Sequence, residues 1–313
     1  MIKPFFVRNI IGGVLFILLI VTSIVWLVGQ VEERHEAAVV TNQIATQVAS
    51  STHDYSPELA GIQAKAYFVY DLTENKVLFA KNEQEQLPLA SVTKLMAGFV
   101  IMNNLPVSTT VSIESSDLGY DGNGGKLLIG EKWTPQSLLN FSLIMSSNDG
   151  IMALSRTLDT YEGQNASNTV ALMNHEAQVL GMHSTVFLNP TGLDLNATTS
   201  GAYSSAYDIT TLLAAILKQN PVLVSKTNKP SANFMSLSNV YHTTINTDLS
   251  IKYIPGLIAS KTGYTDLAGG NLAVVYDAGL AHPIISVVLG STEDGRFTDM
   301  ETLVHVTLEK LSE

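Results

Sequence analysis

The sequence predicts an α+β domain on three observations. Two β-rich runs, AYFVYDL at 66–72 and KVLFA at 76–80, open the body of the chain. Segments with apolar residues at helical spacing fill its middle, and further β-rich runs follow Pro255. Strands, then helices, then strands read as an α+β class. The 313 residues are 46% hydrophobic, ample for a sizeable core and unlike a disordered or fibrous chain.

The chain has no cysteine, which excludes a thiol nucleophile, a disulfide framework and a cysteine-ligated zinc site. Its formal net charge is −11, and Lys3 and Arg8 are the only charges in residues 1–30, so the remainder carries −13. A body this acidic is not expected to bind nucleic acid.

Ile10 to Gly29 is an uncharged apolar run of twenty residues. As a helix it would span about 30 Å, the thickness of a bilayer's hydrocarbon core. Lys3 and Arg8 precede it and Glu32 and Glu33 follow, so residues 1–30 read as a cytoplasmic tip and membrane anchor, with the body exported. The run exceeds a signal peptide's apolar region and no A-x-A-like site closely follows it, which favours an uncleaved anchor. Residues 31–62, rich in Glu, Gln, Ala, Ser and Thr, read as a stalk. The catalytic domain is expected over 63–313.

The two β-rich runs, separated by Thr73, Glu74 and Asn75, form a predicted hairpin leading into LPLASVTKLMAGFV at 87–100. A helix beginning near Ser91 would place Lys94 beside it, because i and i+3 share a helical face. The pair reads as nucleophile and base. A lysine that titrates near pH ~10.4 must lose about three units to act at neutrality, so burial or a second cation is required. Leu95, Met96, Phe99 and Val100 indicate a buried helix.

Gly119 to Gly130 is glycine-rich, yet a phosphate loop ending at Gly125-Lys126 would need glycine at 120 and a hydroxyl at 127, where Tyr120 and Leu127 stand. It reads as a turn-rich loop near the site. Thr134-Pro135 starts a helix whose end delivers Ser146, Ser147 and Asn148, and the next helix begins at Asp149. Ser146 and Asn148, two residues apart in a tight connection, could face one cavity.

His175-Glu176 resembles half of a zinc-protease motif, but Val179 stands where the second histidine belongs, so no metal is expected. Val170, Met173, Ala177 and Leu180 make an apolar stripe on that helix. No G-x-S-x-G elbow occurs, against a hydrolase triad of that type. NPTGLD at 189–194 is a turn cluster, and a helix follows from Ser205. SAN at 231–233 has no evident role. GLIASKTGYT reads as a strand carrying Lys261, Thr262 and Gly263, followed by LAVVYDAG and PIISVVLGS as strands and a helix over about Asp299–Leu311. Small Gly263 would let a substrate backbone lie along the strand edge.

Ser91-Val-Thr-Lys94, Ser146-Ser-Asn148 and Lys261-Thr-Gly263 resemble the three motifs of serine penicillin-binding proteins and β-lactamases. The chain has one S-x-x-K and one K-T-G, in the family's order. LPLASVTKLM, SLIMSSNDG, MNHEAQVLGMHSTVFLNPTGL and KTGYTDLAGG resemble the D-alanyl-D-alanine carboxypeptidase family (peptidase family S11) over roughly residues 63–313.

That resemblance implies an antiparallel sheet of N- and C-terminal strands, covered by helices, with an all-helical insertion carrying Ser146 and Asn148. It implies Ser91 as acylating nucleophile, Lys94 as its base, Ser146 as proton relay and Asn148 as holder of the substrate backbone. Lys261 would be the second cation, Thr262 would bond the substrate carboxylate, and the N–H groups of Ser91 and Tyr264 would form the oxyanion hole. The implied partners are a peptidoglycan stem peptide ending in D-Ala-D-Ala and β-lactams as covalent inhibitors, with no cofactor. The place implied is the outer side of a bacterial plasma membrane.

Ser147 stands where the family usually has Gly, and Gly150 where it usually has Ala. The rival readings are a D,D-endopeptidase with the same motifs, a β-lactamase and an idle wall-binding protein. A class A β-lactamase would need E-x-x-x-N, and Glu162 is followed by Asn165, one residue too soon.

Overall fold

The computed structural model of the protein describes residues 57–120, 122, 124–161 and 169–313. The apolar run Ile10–Gly29, most of the stalk, and Glu162 and Asn165 lie outside them. Among the described residues no helix is long and apolar enough to cross a membrane.

In chain order, β1 (Ala66–Asp71) and β2 (Lys76–Lys81) form the predicted hairpin. It turns at Asn75, whose φ of 50° asparagine tolerates. β3 (Leu87–Pro88) leads through a 3-10 turn at Ala90–Thr93 into α1 (Lys94–Asn104). β4 (Val111–Ser112) and β5 (Lys132–Trp133) pair across the glycine-rich loop. Three helices follow, α2 (Pro135–Met145), α3 (Asn148–Asp159) and α4 (Thr169–Val179). β6 (Val186–Phe187) and β7 (Ala202–Ser204) join β3 in a small sheet, and α5 (Ala206–Gln219) comes next. A hairpin of β8 (Ser231–Met235) and β9 (Tyr241–Ile245) precedes β10 (Leu257–Thr265), β11 (Gly269–Asp277), β12 (Pro283–Ser291) and α6 (Gly295–Ser312).

The main sheet runs β10-β11-β12-β1-β2 and is antiparallel throughout. Ala66 lies opposite Leu289 and Asp71 opposite Ile284, so the first strand of the domain is zipped to the last. Alternate residues serve two cores. Phe68, Tyr70, Val275 and Val287 face the helical layer with Leu95 and Phe99, whereas Tyr67, Val69, Val274 and Val288 pack with Met300 and Leu303 of α6. Burial on both faces explains why these strands read as continuous apolar runs.

Three expectations need correction. Leu59 and Ile62, placed in the stalk, are buried in the same core as α6, in and just after a 3-10 turn at Pro57–Gly61, so the packed domain begins before residue 63. The last helix starts at Gly295, not near Asp299. Asp299 resembles a cap in sequence, but its carboxylate accepts the N–H groups of Gln63 and Ala64, each at 2.9 Å, and the Ser291 hydroxyl at 2.6 Å. SAN at 231–233 lies on β8, a strand unseen in the sequence because the inward residues of its hairpin include His242 and Thr244, polar side chains that break the apolar alternation.

Candidate active site

Ser91 sits in the 3-10 turn, and α1 begins at Lys94 itself, a correction to a helix starting at the serine. In a 3-10 turn residues i and i+3 eclipse, which brings Lys94 Nζ to 2.6 Å from Ser91 Oγ. Ala90 enters the turn with a φ of 48°, an unusual conformation for alanine. Ser91 remains partly accessible while Lys94 is fully buried.

Lys94 Nζ also donates to the Thr191 carbonyl at 2.9 Å. The NPTGLD turn cluster holds that carbonyl in place. Asn189 Oδ1 accepts from the Gly192 N–H at 2.7 Å, and Asn189 Nδ2 donates to the Leu193 carbonyl at 2.8 Å. Gly192 is required here, since it has a φ of +80° and a Cβ on it would lie 1.9 Å from the Ala90 carbonyl oxygen. Sequence reasoning saw only a turn; the structure makes it a wall of the lysine's pocket.

Burial is the larger cause that holds the Lys94 amine well below an ordinary lysine, and the charge of Lys261 is the second. Lys261 is itself brought down to about 7, first by burial and then by the Arg296 guanidinium, against an opposing pull from Asp248. The second cation sought in the sequence is thus present, but it acts on Lys94 only in its protonated fraction. The 2.6 Å contact between Lys94 Nζ and Ser91 Oγ has the geometry of a general base set against its nucleophile.

Ser146 caps the C-terminus of α2 in the left-handed conformation, φ 61° and ψ 34°. Lys261 Nζ donates to Ser146 Oγ at 2.9 Å and to the Thr262 carbonyl at 2.8 Å, tying the helical layer to β10. Asn148 opens α3 and is buried.

The Thr262 hydroxyl lies 2.5 Å from that of Thr247, a neighbour the sequence reading missed because an isolated threonine in a loop carries no signal. Gly263 has a reason for being glycine within the chain itself. A Cβ there would lie 2.6 Å from the Leu89 carbonyl oxygen and 3.1 Å from the Ser91 nitrogen. The glycine therefore lets β10 press against the turn that carries Ser91.

Tyr264 follows, 44% exposed, with the Arg296 guanidinium 5.7 Å from its ring. Arg296 also donates to the Gly263 carbonyl at 3.4 Å. It was missed as well, since it comes from α6, outside every motif.

Tyr264 lines a cavity of about 850 Å³, bounded on one side by Gly119, Tyr120 and Gly122 and on the other by the Asn189–Leu195 turn. Of the residues picked from the sequence only Tyr264 lines this cavity, and the glycine-rich loop comes near the others at Asn148, whose Nδ2 would lie 3.2 Å from a Cβ on Gly122. The eight residues picked from the sequence fall into linked groups: Ser91 with Lys94, Lys261 with Ser146, Asn148 two residues beyond Ser146 at the start of α3, and Thr262, Gly263 and Tyr264 along one strand that packs on the Ser91 turn.

A serine paired with a buried lysine, set between an antiparallel sheet and a helical layer, defines a lysine-activated serine acyl-transfer protein of the penicillin-binding type. The family model of D-alanyl-D-alanine carboxypeptidases, Peptidase S11, matches residues 51–293, and the chain belongs to that family.

The chain is 32% identical over 232 residues to D-alanyl-D-alanine carboxypeptidase DacB2 of Mycobacterium tuberculosis, covering 74% of this chain and 77% of the relative. It is 28% identical to a D-alanyl-D-alanine endopeptidase of Pseudomonas aeruginosa, covering 74% and 75%. Among solved structures it resembles the ampicillin-bound penicillin-binding protein D2 of Listeria monocytogenes, with a TM-score of 0.67 at 25% identity over 79% of this chain and 98% of that one. Across the first three curated carboxypeptidase relatives it spans between 51% and 77% of their length.

Proposed function

We propose that this chain is a serine-type D-Ala-D-Ala carboxypeptidase that removes the terminal D-alanine from peptidoglycan stem peptides through an ester on Ser91. The observation that carries it is the 2.6 Å contact between Ser91 Oγ and the buried Lys94 amine.

Ser91 Oγ attacks the carbonyl carbon of the penultimate D-alanine while its proton passes to Lys94 Nζ. The charge that develops on the carbonyl oxygen falls to the N–H groups of Ser91 and Tyr264, a type of interaction worth about 3 kcal/mol per donor. As the carbon–nitrogen bond breaks, the leaving amine takes a proton from the Ser146 hydroxyl, which Lys261 and Lys94 replenish. Water then cleaves the ester and restores Ser91. Lys261 and Thr262 take the substrate carboxylate, and Asn148 holds its backbone. β-Lactams enter the same path and stop at the ester, a reading supported by the ampicillin-bound relative.

An endopeptidase acting on cross-links is the second reading, favoured by the relative named for that activity. The apolar run Ile10–Gly29 supports an uncleaved membrane anchor, with residues 31 onward as a stalk and the catalytic domain outside the cytoplasm; this assignment rests on the sequence alone. A mature protein whose first residue lies beyond position 30 would overturn it.

The test of activity is mass analysis of products from the purified chain given both a stem pentapeptide and cross-linked muropeptides, with Ser91→Ala as control. Release of D-alanine from the pentapeptide supports the carboxypeptidase. Cleavage of cross-links alone selects the endopeptidase, and no cleavage of either rejects both.

A further inference from the structure

Ser147 carries out two bonds with one hydroxyl. Its oxygen accepts the Gly150 N–H at 3.1 Å, capping α3, and its proton goes to the Gly124 carbonyl at 2.6 Å. The side chain is fully buried. Gly124 belongs to the glycine-rich loop, and glycine is the residue that permits the approach, since a Cβ on it would lie 2.4 Å from Asp149 Oδ2.

The neighbours of Ser147 meet the same loop. A Cβ on Gly122 would lie 3.2 Å from Asn148 Nδ2, and the backbone N–H groups of Tyr120 and Gly119 face the Asp149 carboxylate. Three successive residues, 147 to 149, thus meet the loop at 124, 122 and 119–120 in turn. The other side of that loop is the wall of the cavity beside Tyr264.

The cavity's place fixes what it would receive, on the reading given under Proposed function. β10 runs from Lys261, at the substrate carboxylate, past Tyr264 at the oxyanion, to Thr265 and Asp266, which line the cavity. The stem peptide upstream of the scissile bond leaves Ser91 in that direction.

We propose that Ser147 is a positioning residue that latches the glycine-rich loop, through Gly124, onto the Ser146–Asn148 connection and so sets the cavity wall of Gly119, Tyr120 and Gly122 against which the upstream stem peptide binds. The hydroxyl acts through the loop and touches no reacting atom. A glycine at 147, the usual family residue, would leave the loop without this fastening.

The latch and the cap can be separated. Glycine is a good helix N-cap and alanine a poor one, so Ser147→Gly removes the latch while largely keeping the cap, and Ser147→Ala removes both. Hydrogen exchange on the full chain in detergent reads the loop directly and needs no activity. Amides of Gly119, Tyr120, Gly122, Gly124 and Gly125 are expected to exchange roughly five-fold faster in both variants, the factor one neutral hydrogen bond supports. The first turn of α3 should loosen only in Ser147→Ala.

With the stem pentapeptide, KM is expected to rise by a similar factor in both variants with kcat unchanged, and a short N-acyl D-Ala-D-Ala should be less affected. Ser147→Thr, which keeps the hydroxyl, should restore loop exchange. Loop exchange in Ser147→Gly equal to the parent would overturn the latch. So would equal loss of kcat on long and short substrates, or loss of penicillin labelling in both variants, since either marks damage to the catalytic groups themselves. If the parent releases no D-alanine, the activity fails independently of the exchange result.

Discussion

Lys261 Nζ and Ser146 Oγ, 115 residues apart in sequence, lie 2.9 Å from one another and join β10 to the end of α2. The site thus holds two lysine–serine pairs of different character. Lys94 is held between Ser91 Oγ and the Thr191 carbonyl, and burial with the charge of Lys261 keeps its amine well below an ordinary lysine. Lys261 is buried, and burial and the Arg296 guanidinium, against a pull from Asp248, bring it down to about 7.

Lys261→Ala should therefore cost more with substrates bearing a free terminal carboxylate than with their esters, because the lysine's field acts on that anion. Lys261→Arg should rescue only in part, since the planar guanidinium presents its charge over a wider fork. In the parent, kcat/KM for the free-carboxylate substrate should decline as pH rises through about 7, where Lys261 loses its proton in the free enzyme. The decline in kcat should lie at higher pH, because the bound carboxylate stabilises the ammonium. Equal losses for acid and ester would remove carboxylate recognition from Lys261.

The same burial makes Lys261 a cost to the fold. Its folded-state pKa of about 7 lies below the ordinary lysine value of 10.5, so between these the unfolded chain binds more protons and stability rises with pH. The penalty is complete below about 7 and relieved toward 10.5, on the order of 5 kcal/mol before any offset. Lys261→Met should be inactive on carboxylate substrates yet raise Tm at pH 6 to 7, with the gain shrinking toward pH 10. A Tm difference independent of pH would show that Lys261 is not held below its ordinary value.

The sheet, the helix α2 and all three motifs were legible in the sequence because their signals are local: apolar runs, Thr134-Pro135, and short fixed spacings. What escaped were contacts made between distant segments. Thr191 offers a backbone carbonyl to Lys94, which no side-chain pattern reveals. Thr247 and Arg296 reach β10 from a loop and from α6, each as a single residue without periodicity. Gly263 was read as a close-approach position, and the close neighbours the structure shows, Leu89 and Ser91, come from a segment distant in sequence.

Gly150, where the family usually has alanine, has its explanation in Ser142. A Cβ at 150 would lie 2.1 Å from Ser142 Oγ, whose hydroxyl donates to the Leu138 carbonyl at 2.7 Å. Gly150→Ala must turn that hydroxyl away and lose a hydrogen bond worth about 1 kcal/mol, against a helix-propensity gain of about the same size. Ser142→Ala leaves a small gap that the new methyl would fill. The double variant should thus be more stable than the two single changes predict by addition, with a coupling of roughly 1 kcal/mol in urea unfolding. Strict additivity would break the link between these two positions.

The most direct test concerns Ser91 and Lys94. Penicillin should form a slowly hydrolysed ester on Ser91, since its leaving group stays tethered after the ring opens and cannot diffuse from the acyl carbon. Ser91→Ala should abolish labelling. Lys94→Ala should retain the fold and slow acylation by ~10²–10⁴-fold, the usual loss for a general base. Because burial and then the charge of Lys261 hold the Lys94 amine well below an ordinary lysine, parent acylation should fall as the solution is made acidic and Nζ gains a proton, with that acid limb well below the range of an ordinary lysine. The Lys94→Ala protein should lack that acid limb. Should it acylate at the parent rate with the same pH profile, the 2.6 Å contact is not the catalytic one and Ser91 draws its base from elsewhere.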